Sequence, residues 1–152
     1  MSKAYLKSPI GILEIVASEN GICEINFVDK FEKVAVTDEN LKLCLNELEA
    51  YFKGELKKFS VRLDIKTTKF RAKIYDVLQK VPYGETTTYA ALALAAGHKN
   101  AYRAAGSANA KNPLPIIIPC HRVLSHSGLG GYSGGEGLPT KIWLLEHEAK
   151  HK

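Results

Sequence analysis

A thiol, an imidazole and a guanidinium follow one another at Cys120, His121 and Arg122, directly after the apolar run "IIIP". A free thiol is mostly protonated at neutral pH, so a cysteine nucleophile needs positive charge or a base beside it. His121 and Arg122 offer both. Neighbouring side chains diverge, which makes a direct Cys120–His121 hydrogen bond awkward and a bridging water the natural link. An imidazole used as a base also gains from a carboxylate that orients it, and the candidates nearby in the chain are Asp76, Glu85, Glu136, Glu146 and Glu148. A lone Cys-His dipeptide more often means a buried cysteine and an incidental histidine. The frame "NPLPIIIPCHRV" weighs against that reading, because Pro113, Pro115 and Pro119 stiffen the approach and fix the sulfur at the end of an apolar strand.

The flanking segments indicate what holds this group in place. Phe70, Ile74, Val77, Leu78 and Val81 mark one face of a helix that Pro82 and Gly84 stop. "ETTTYAALALAAG" and "AYRAAGSANAKN" predict two short helices around a tight connection at Gly97, the proportions of a helix-turn-helix. The second is sheathed in small residues, Ala101, Ala104, Ala105, Gly106, Ser107 and Ala108, and Arg103 is the only long cation among them. Its backbone could therefore approach a nucleic acid closely. "SHSGLGGYSGGEG" carries six glycines from Gly128 to Gly137; it cannot fill a core, but it leaves backbone amides free for a ligand, or else serves as a plain surface linker. A last helix follows, with Ile142, Trp143, Leu145 and Ala149 as its expected apolar side.

The first part of the chain reads differently. Asn20-Gly21 predicts a hairpin turn, with Cys23, Ile25 and Phe27 alternating onto a buried strand face. Leu41, Leu45, Leu48 and Phe52 make a helical stripe that Gly54 ends, with Cys44 beside it, and "ELKKFSVRLDIKTT" reads as an edge strand and a linker. Residues 1–66 hold 10 Lys/Arg against 11 Asp/Glu, whereas residues 67–152 hold 11 against 5. No carboxylate falls between Thr86 and Gly135, although Lys99, Arg103, Lys111 and Arg122 do. This charge shift predicts a sheet-and-helix domain over 1–66 and a basic, mainly helical domain over 67–152, with a phosphate-bearing partner or simple solubility as the meaning of the basic excess. Three cysteines without a CxxC pair argue against both a disulfide framework and a cysteine zinc site. The absence of a long apolar stretch argues for an intracellular protein without a membrane segment.

"NPLPIIIPCHRV", together with "PYGETTTYAALA", "RAAGSAN" and "GYSGG", resembles the O6-alkylguanine-DNA alkyltransferases, in order from about Phe70 to Glu148 and more weakly through "SPIGILEIVASENG". The resemblance implies an α/β protein with an RNase H-like first domain and a winged-helix-like second one. It implies that Cys120 accepts an alkyl group from O6-alkylguanine, and from O4-alkylthymine, in duplex DNA, once and irreversibly. His121 and Glu148 would complete a water-linked relay to the sulfur, with Asn112 organising the active-site turn. Tyr89 would assist flipping and protonate the base, and Arg103 would take the place of the extruded nucleotide. Ala104, Lys99 and Arg122 would join Arg103 and Tyr89 against DNA, while Val123, Tyr132, Ser133 and Pro115 would line the base pocket.

"GGEGLPTKIW" is longer than the usual connection to the last helix, so placing Glu148 rather than Glu146 in the relay rests on aligning "WLLEHE". Some relatives carry zinc in the first domain, but residues 1–66 have no histidine and two cysteines, so no metal and no cofactor are expected. A cytoplasmic monomer is expected, nuclear only in a eukaryote. Two other functions fit part of the pattern. A DNA-binding regulator would use the helix pair and ignore Cys120, and a papain-type hydrolase would need an oxyanion hole and a directly bonded Cys/His pair from distant segments.

Overall fold

The computed structural model describes Met1–Lys152 and divides into two compact units, Met1–Lys66 and Thr67–Lys152. The first is an antiparallel meander of β1 (Ser2–Ser8), β2 (Gly11–Ser18) and β3 (Gly21–Val28), with helix α1 (Glu39–Phe52). Asp38 caps α1 by accepting a hydrogen bond from the Leu41 amide at 2.9 Å. The expected alternation on β3 is displaced. Val16 faces Glu24 while Ala17 faces Ile22, so Cys23 is the extra residue of a β-bulge. It is only half-buried, and Ile22 and Ile25 point into the core instead.

The buried face of α1 is likewise Leu41, Cys44, Leu48 and Tyr51, with Leu45 and Phe52 at its margin. The edge strand expected after α1 is reduced to one parallel bridge between Ile22 and Leu63, made by Ile22 N–H to Arg62 O (2.9 Å) and Asp64 N–H to Ile22 O (2.8 Å). Gly21 permits that approach, since a Cβ there would lie 2.6 Å from the Arg62 carbonyl oxygen.

In the second unit, α2 (Lys69–Gln79) precedes the pair α3 (Tyr89–Ala95) and α4 (Tyr102–Ala110), and α5 (Leu138–Lys150) closes the chain. Val81 falls beyond the end of α2. Thr88 caps α3 by accepting from the Ala91 amide, and Gly97, at φ +85°, turns the chain toward α4. A two-stranded parallel pair, β4 (Thr87–Thr88) with β5 (Val123–Leu124), ties the start of α3 to the segment just after Cys120. The helix-turn-helix and the cysteine are thereby joined by backbone hydrogen bonding.

The inward face of α5 differs from the expected one. Thr140, Lys141, Leu144, His147 and Glu148 are buried, while Ile142 and Ala149 are exposed and Trp143 and Leu145 half-buried. Apolar periodicity misplaced this face because its deepest positions are polar groups with partners. No helix is long and apolar enough to cross a membrane.

Candidate active site

Backbone constraints fix Cys120 before its side chain is considered. Asn112 braces the preceding turn from both ends: its Nδ2 donates to Ile118 O (2.7 Å), and its Oδ1 accepts from Leu114 N–H (2.9 Å). Ile118 N–H closes the turn on Leu114 O at 2.9 Å. Between them Ile116 sits at φ +78°, the single non-glycine residue with a positive φ. For a β-branched residue this conformation costs about 1–2 kcal/mol, which burial of the side chain and the flanking bonds must hold in place. Cys120 then opens a single 3₁₀ turn through Arg122, with its amide on Ile118 O (2.8 Å) and its carbonyl accepting from Asn109 Nδ2 (3.2 Å).

The two residues that follow Cys120 belong to a buried charged cluster. Glu148 Oε2 accepts from His121 Nε2 (2.6 Å) and Arg122 Nη2 (3.0 Å), while Oε1 accepts from Arg122 Nε (2.8 Å) and the Gly84 amide (3.2 Å). Arg122 also donates through Nη1 to Val81 O at 2.7 Å. Burial alone would raise the Glu148 pKa, but the hydrogen bonds from His121 and Arg122 outweigh it and hold the carboxyl well below the usual range. Burial lowers the His121 pKa, against the opposing pull of Glu148, so the ring is neutral at pH 7. A carboxylate at Nε2 places the ring proton there and leaves the lone pair on Nδ1, which is buried with no protein partner. Glu146, the other carboxylate considered, is exposed.

Two expectations are corrected by this arrangement. Arg122, expected against DNA, is 6% exposed and spends its guanidinium on Glu148 and Val81, so it is not available to a phosphate. Nor do Arg122 and His121 hold the sulfur ionised. Burial pushes the Cys120 thiol up to about 11, and hydrogen bonding by Asn112 and the charge of Lys141 offset this only in part. The sulfur rests as a thiol.

Lys141 is the functional group that sequence reasoning missed. It is fully buried, and its Nζ donates to the carbonyls of Val123 (2.6 Å), Leu129 and Gly131 (3.1 Å). It thus clamps the glycine-rich loop and provides the cation nearest in influence to the sulfur. Its spacing from Leu144 and Glu148, three and seven residues on, was the available signal: all three share one helix face.

A cavity of about 310 Å³ opens over Cys120, lined by Tyr89, Gly106, Asn109, Ala110, Gly131, Tyr132 and Ser133. Tyr89 lies between α4 and the loop, and it is the loop-side glycine, Gly130, that leaves it room, since a Cβ on Gly106 would make only ordinary contact. A Cβ on Gly106 would lie 3.7 Å from its ring, and one on Gly130 would lie 3.0 Å from its Oη. Ser133 Oγ ties the loop to α4 by donating to Ala110 O (2.8 Å). The Tyr132 hydroxyl is buried without a protein partner, and burial raises its pKa well above the ordinary value. Val123 and Pro115, expected in the lining, are buried and do not border the cavity; Val123 contributes its carbonyl to the Lys141 clamp. Lys99, Arg103 and Ala104 are exposed on the helix pair, and the Arg103 guanidinium lies over the Tyr102 ring at 5.9 Å. Asn109, Gly106 and Gly131 border the cavity and were not foreseen. No cluster of three His, Cys, Asp or Glu side chains is arranged to hold a metal ion.

Known proteins resemble this chain over nearly its whole length. Residues 69–150 match the DNA-binding domain, and residues 1–65 the ribonuclease-like domain, of 6-O-methylguanine DNA methyltransferase. The methylated-DNA–protein-cysteine methyltransferase of Methanosarcina acetivorans is 41% identical over 155 residues, spanning 97% of this chain and 98% of that one. The constitutive enzyme of Bacillus subtilis is 40% identical, spanning 93% and 92%. The structure of Mycobacterium tuberculosis OGT in complex with DNA superposes with a TM-score of 0.86 at 38% identity, covering 98% of this chain and 93% of that one. With a cysteine poised over a cavity beside a helix-turn-helix, and with both domain models matched in order, this chain belongs to the 6-O-methylguanine DNA methyltransferase family.

Proposed function

We propose that this protein repairs duplex DNA by moving the alkyl group of O6-alkylguanine, and of O4-alkylthymine, onto its own Cys120 in a single turnover. One observation carries the reading: Cys120 lines a cavity bordered by α4 and the glycine loop, and the next residue in the chain, His121, is a neutral imidazole held by the Glu148 carboxylate. At about 310 Å³ the cavity sits at the small end of ligand pockets, roughly 300–1000 Å³. An alkyl group on a base edge is hidden in the stack, so the nucleotide must rotate out at a cost of a few kcal/mol. Arg103 fills the gap, with Lys99 and Ala104 against the backbone and Tyr89 beside the everted base.

A water passes the thiol proton from Cys120 to the open Nδ1 of His121, and Glu148 stabilises the imidazolium through Nε2. The thiolate attacks the alkyl carbon, the C–O6 bond breaks, the leaving guanine takes a proton from the Tyr89 phenol, and the phenolate regains one from solvent as the His121 imidazolium gives its proton up. Because the thiol rests protonated in a buried site, the nucleophile forms only when this relay is assembled, and stray electrophiles meet a weak one. The product thioether has no carbonyl for water to attack, so the protein is consumed.

Residues 67–152 carry DNA binding and transfer, and residues 1–66 support them. The protein acts as a cytoplasmic monomer, nuclear in a eukaryote, and needs no metal or cofactor. Papain-type hydrolysis is disfavoured because it calls for a directly bonded Cys/His pair from distant segments, whereas Cys120 and His121 are neighbours in the chain. The test is Cys120→Ala: label transfer from duplex containing O6-methylguanine should vanish while DNA binding persists. Transfer by the variant would place the acceptor elsewhere.

A further inference from the structure

Tyr102 is half exposed, at 50%, although it begins the helix that carries Arg103. A large aromatic left in water next to a cation is a feature that neither the relay nor the cavity uses. Its position gives it a direction. On a 3.6-residue helix, Tyr102 lies one turn before Gly106 and two before Ala110, with Asn109 alongside; these three residues border the cavity over Cys120. Tyr102 therefore continues the cavity-facing stripe of α4 outward to the point from which Arg103 projects. The two side chains are neighbours: the Arg103 guanidinium lies 5.9 Å from the Tyr102 ring centroid, within the range of an exposed cation–π contact.

We propose that Tyr102 is a second inserting residue: its ring stacks on the base flanking the gap while Arg103 fills the place of the extruded nucleotide. The proposal rests on the DNA-repair reading above. Proteins that open a base step pair a cation with an apolar wedge, because the unstacked neighbour loses a stacking partner that an aromatic ring can replace. An arginine alone neutralises charge but covers little of that face. The ring rather than the hydroxyl does the work, and the effect falls on flipping, not on the chemistry at Cys120.

The experiment compares wild type, Tyr102→Ala and Tyr102→Phe in single-turnover methyl transfer from two substrates: duplex DNA with one O6-methylguanine, and O6-methylguanine as the free base. A stacking contact of this kind is worth about tenfold or more per base. Tyr102→Ala should therefore slow transfer from duplex about tenfold and leave the free-base rate within twofold of wild type. Tyr102→Phe should match wild type on both. A 2-aminopurine placed next to the lesion should report less unstacking with Tyr102→Ala than with wild type. Equal loss on duplex and free base, no loss on duplex, or a Phe variant as slow as Ala would each overturn the assignment. Failure of wild type on both substrates would instead overturn the repair function itself.

Discussion

Replacing Glu148 by Gln separates the two tasks of the buried cluster. The change is nearly isosteric, yet it removes the only carboxylate that meets both His121 Nε2 and the Arg122 fork. Arg122 would then be a charge at 6% exposure with Val81 O and an amide oxygen for company. Breaking one partner of a buried pair costs about 3–5 kcal/mol. With a urea m-value of about 2 kcal/mol/M, the midpoint should fall by roughly 1.5–2.5 M. Trp143, the single tryptophan, lies on the same helix and reports that unfolding by fluorescence. Transfer should slow by about 10²–10⁴-fold, the range for loss of an oriented general base. The double variant Glu148→Gln with Arg122→Met removes the stranded charge, so it should regain much of the stability and none of the transfer rate. A Gln variant with an unchanged midpoint and unchanged transfer would refute the reasoning, as would a double variant that recovered activity along with stability.

Three further outcomes follow from the geometry. Lys141→Met keeps the bulk of the side chain but strips three carbonyls of their donor, so urea unfolding should show a loss of about 2–4 kcal/mol and single-turnover transfer should slow as the loop loosens; unchanged transfer would remove the clamp from the mechanism. Gly130→Ala, at φ +72° and with a Cβ 3.0 Å from Tyr89 Oη, should displace that phenol and slow transfer from duplex, while Gly128→Ala, where a Cβ meets nothing, should not. The pH dependences have defined signs. The His121 pKa is lowered from 6.5 and that of Glu148 from 4.5, so the unfolded chain binds protons more readily than the folded one. Stability measured by urea unfolding should therefore decline on acidification from about pH 6.5, and further below about 4.5. Alkylation of Cys120 by iodoacetamide should keep accelerating toward pH 11 rather than level off near 9.

Much of the site was legible because its chemistry is carried by residues consecutive in the chain. Cys120, His121, the bracing Asn112 and the prolines before them form a local signature, and the alanine-rich helix pair announced its own turn at Gly97. Long-range pairings were less accessible. A fork from Arg122 to Glu148 joins residues 26 apart, and nothing in the dipeptide says that the arginine turns inward. The α5 face was misread for a related reason: Lys141 and Glu148 are buried because polar partners satisfy them, and His147 stacks on Trp143, none of which apolar periodicity registers. In the first unit, one extra residue at Cys23 shifted the strand alternation, a bulge that composition does not encode.

The most direct measurement is peptide mapping by mass spectrometry after mixing the protein with excess duplex DNA carrying O6-methylguanine. One methyl group per molecule is expected, on the peptide containing Cys120, with guanine restored in the DNA and no second turnover. Methyl on another residue, methyl released to water with continuing turnover, or an unmodified Cys120 in folded protein would contradict it.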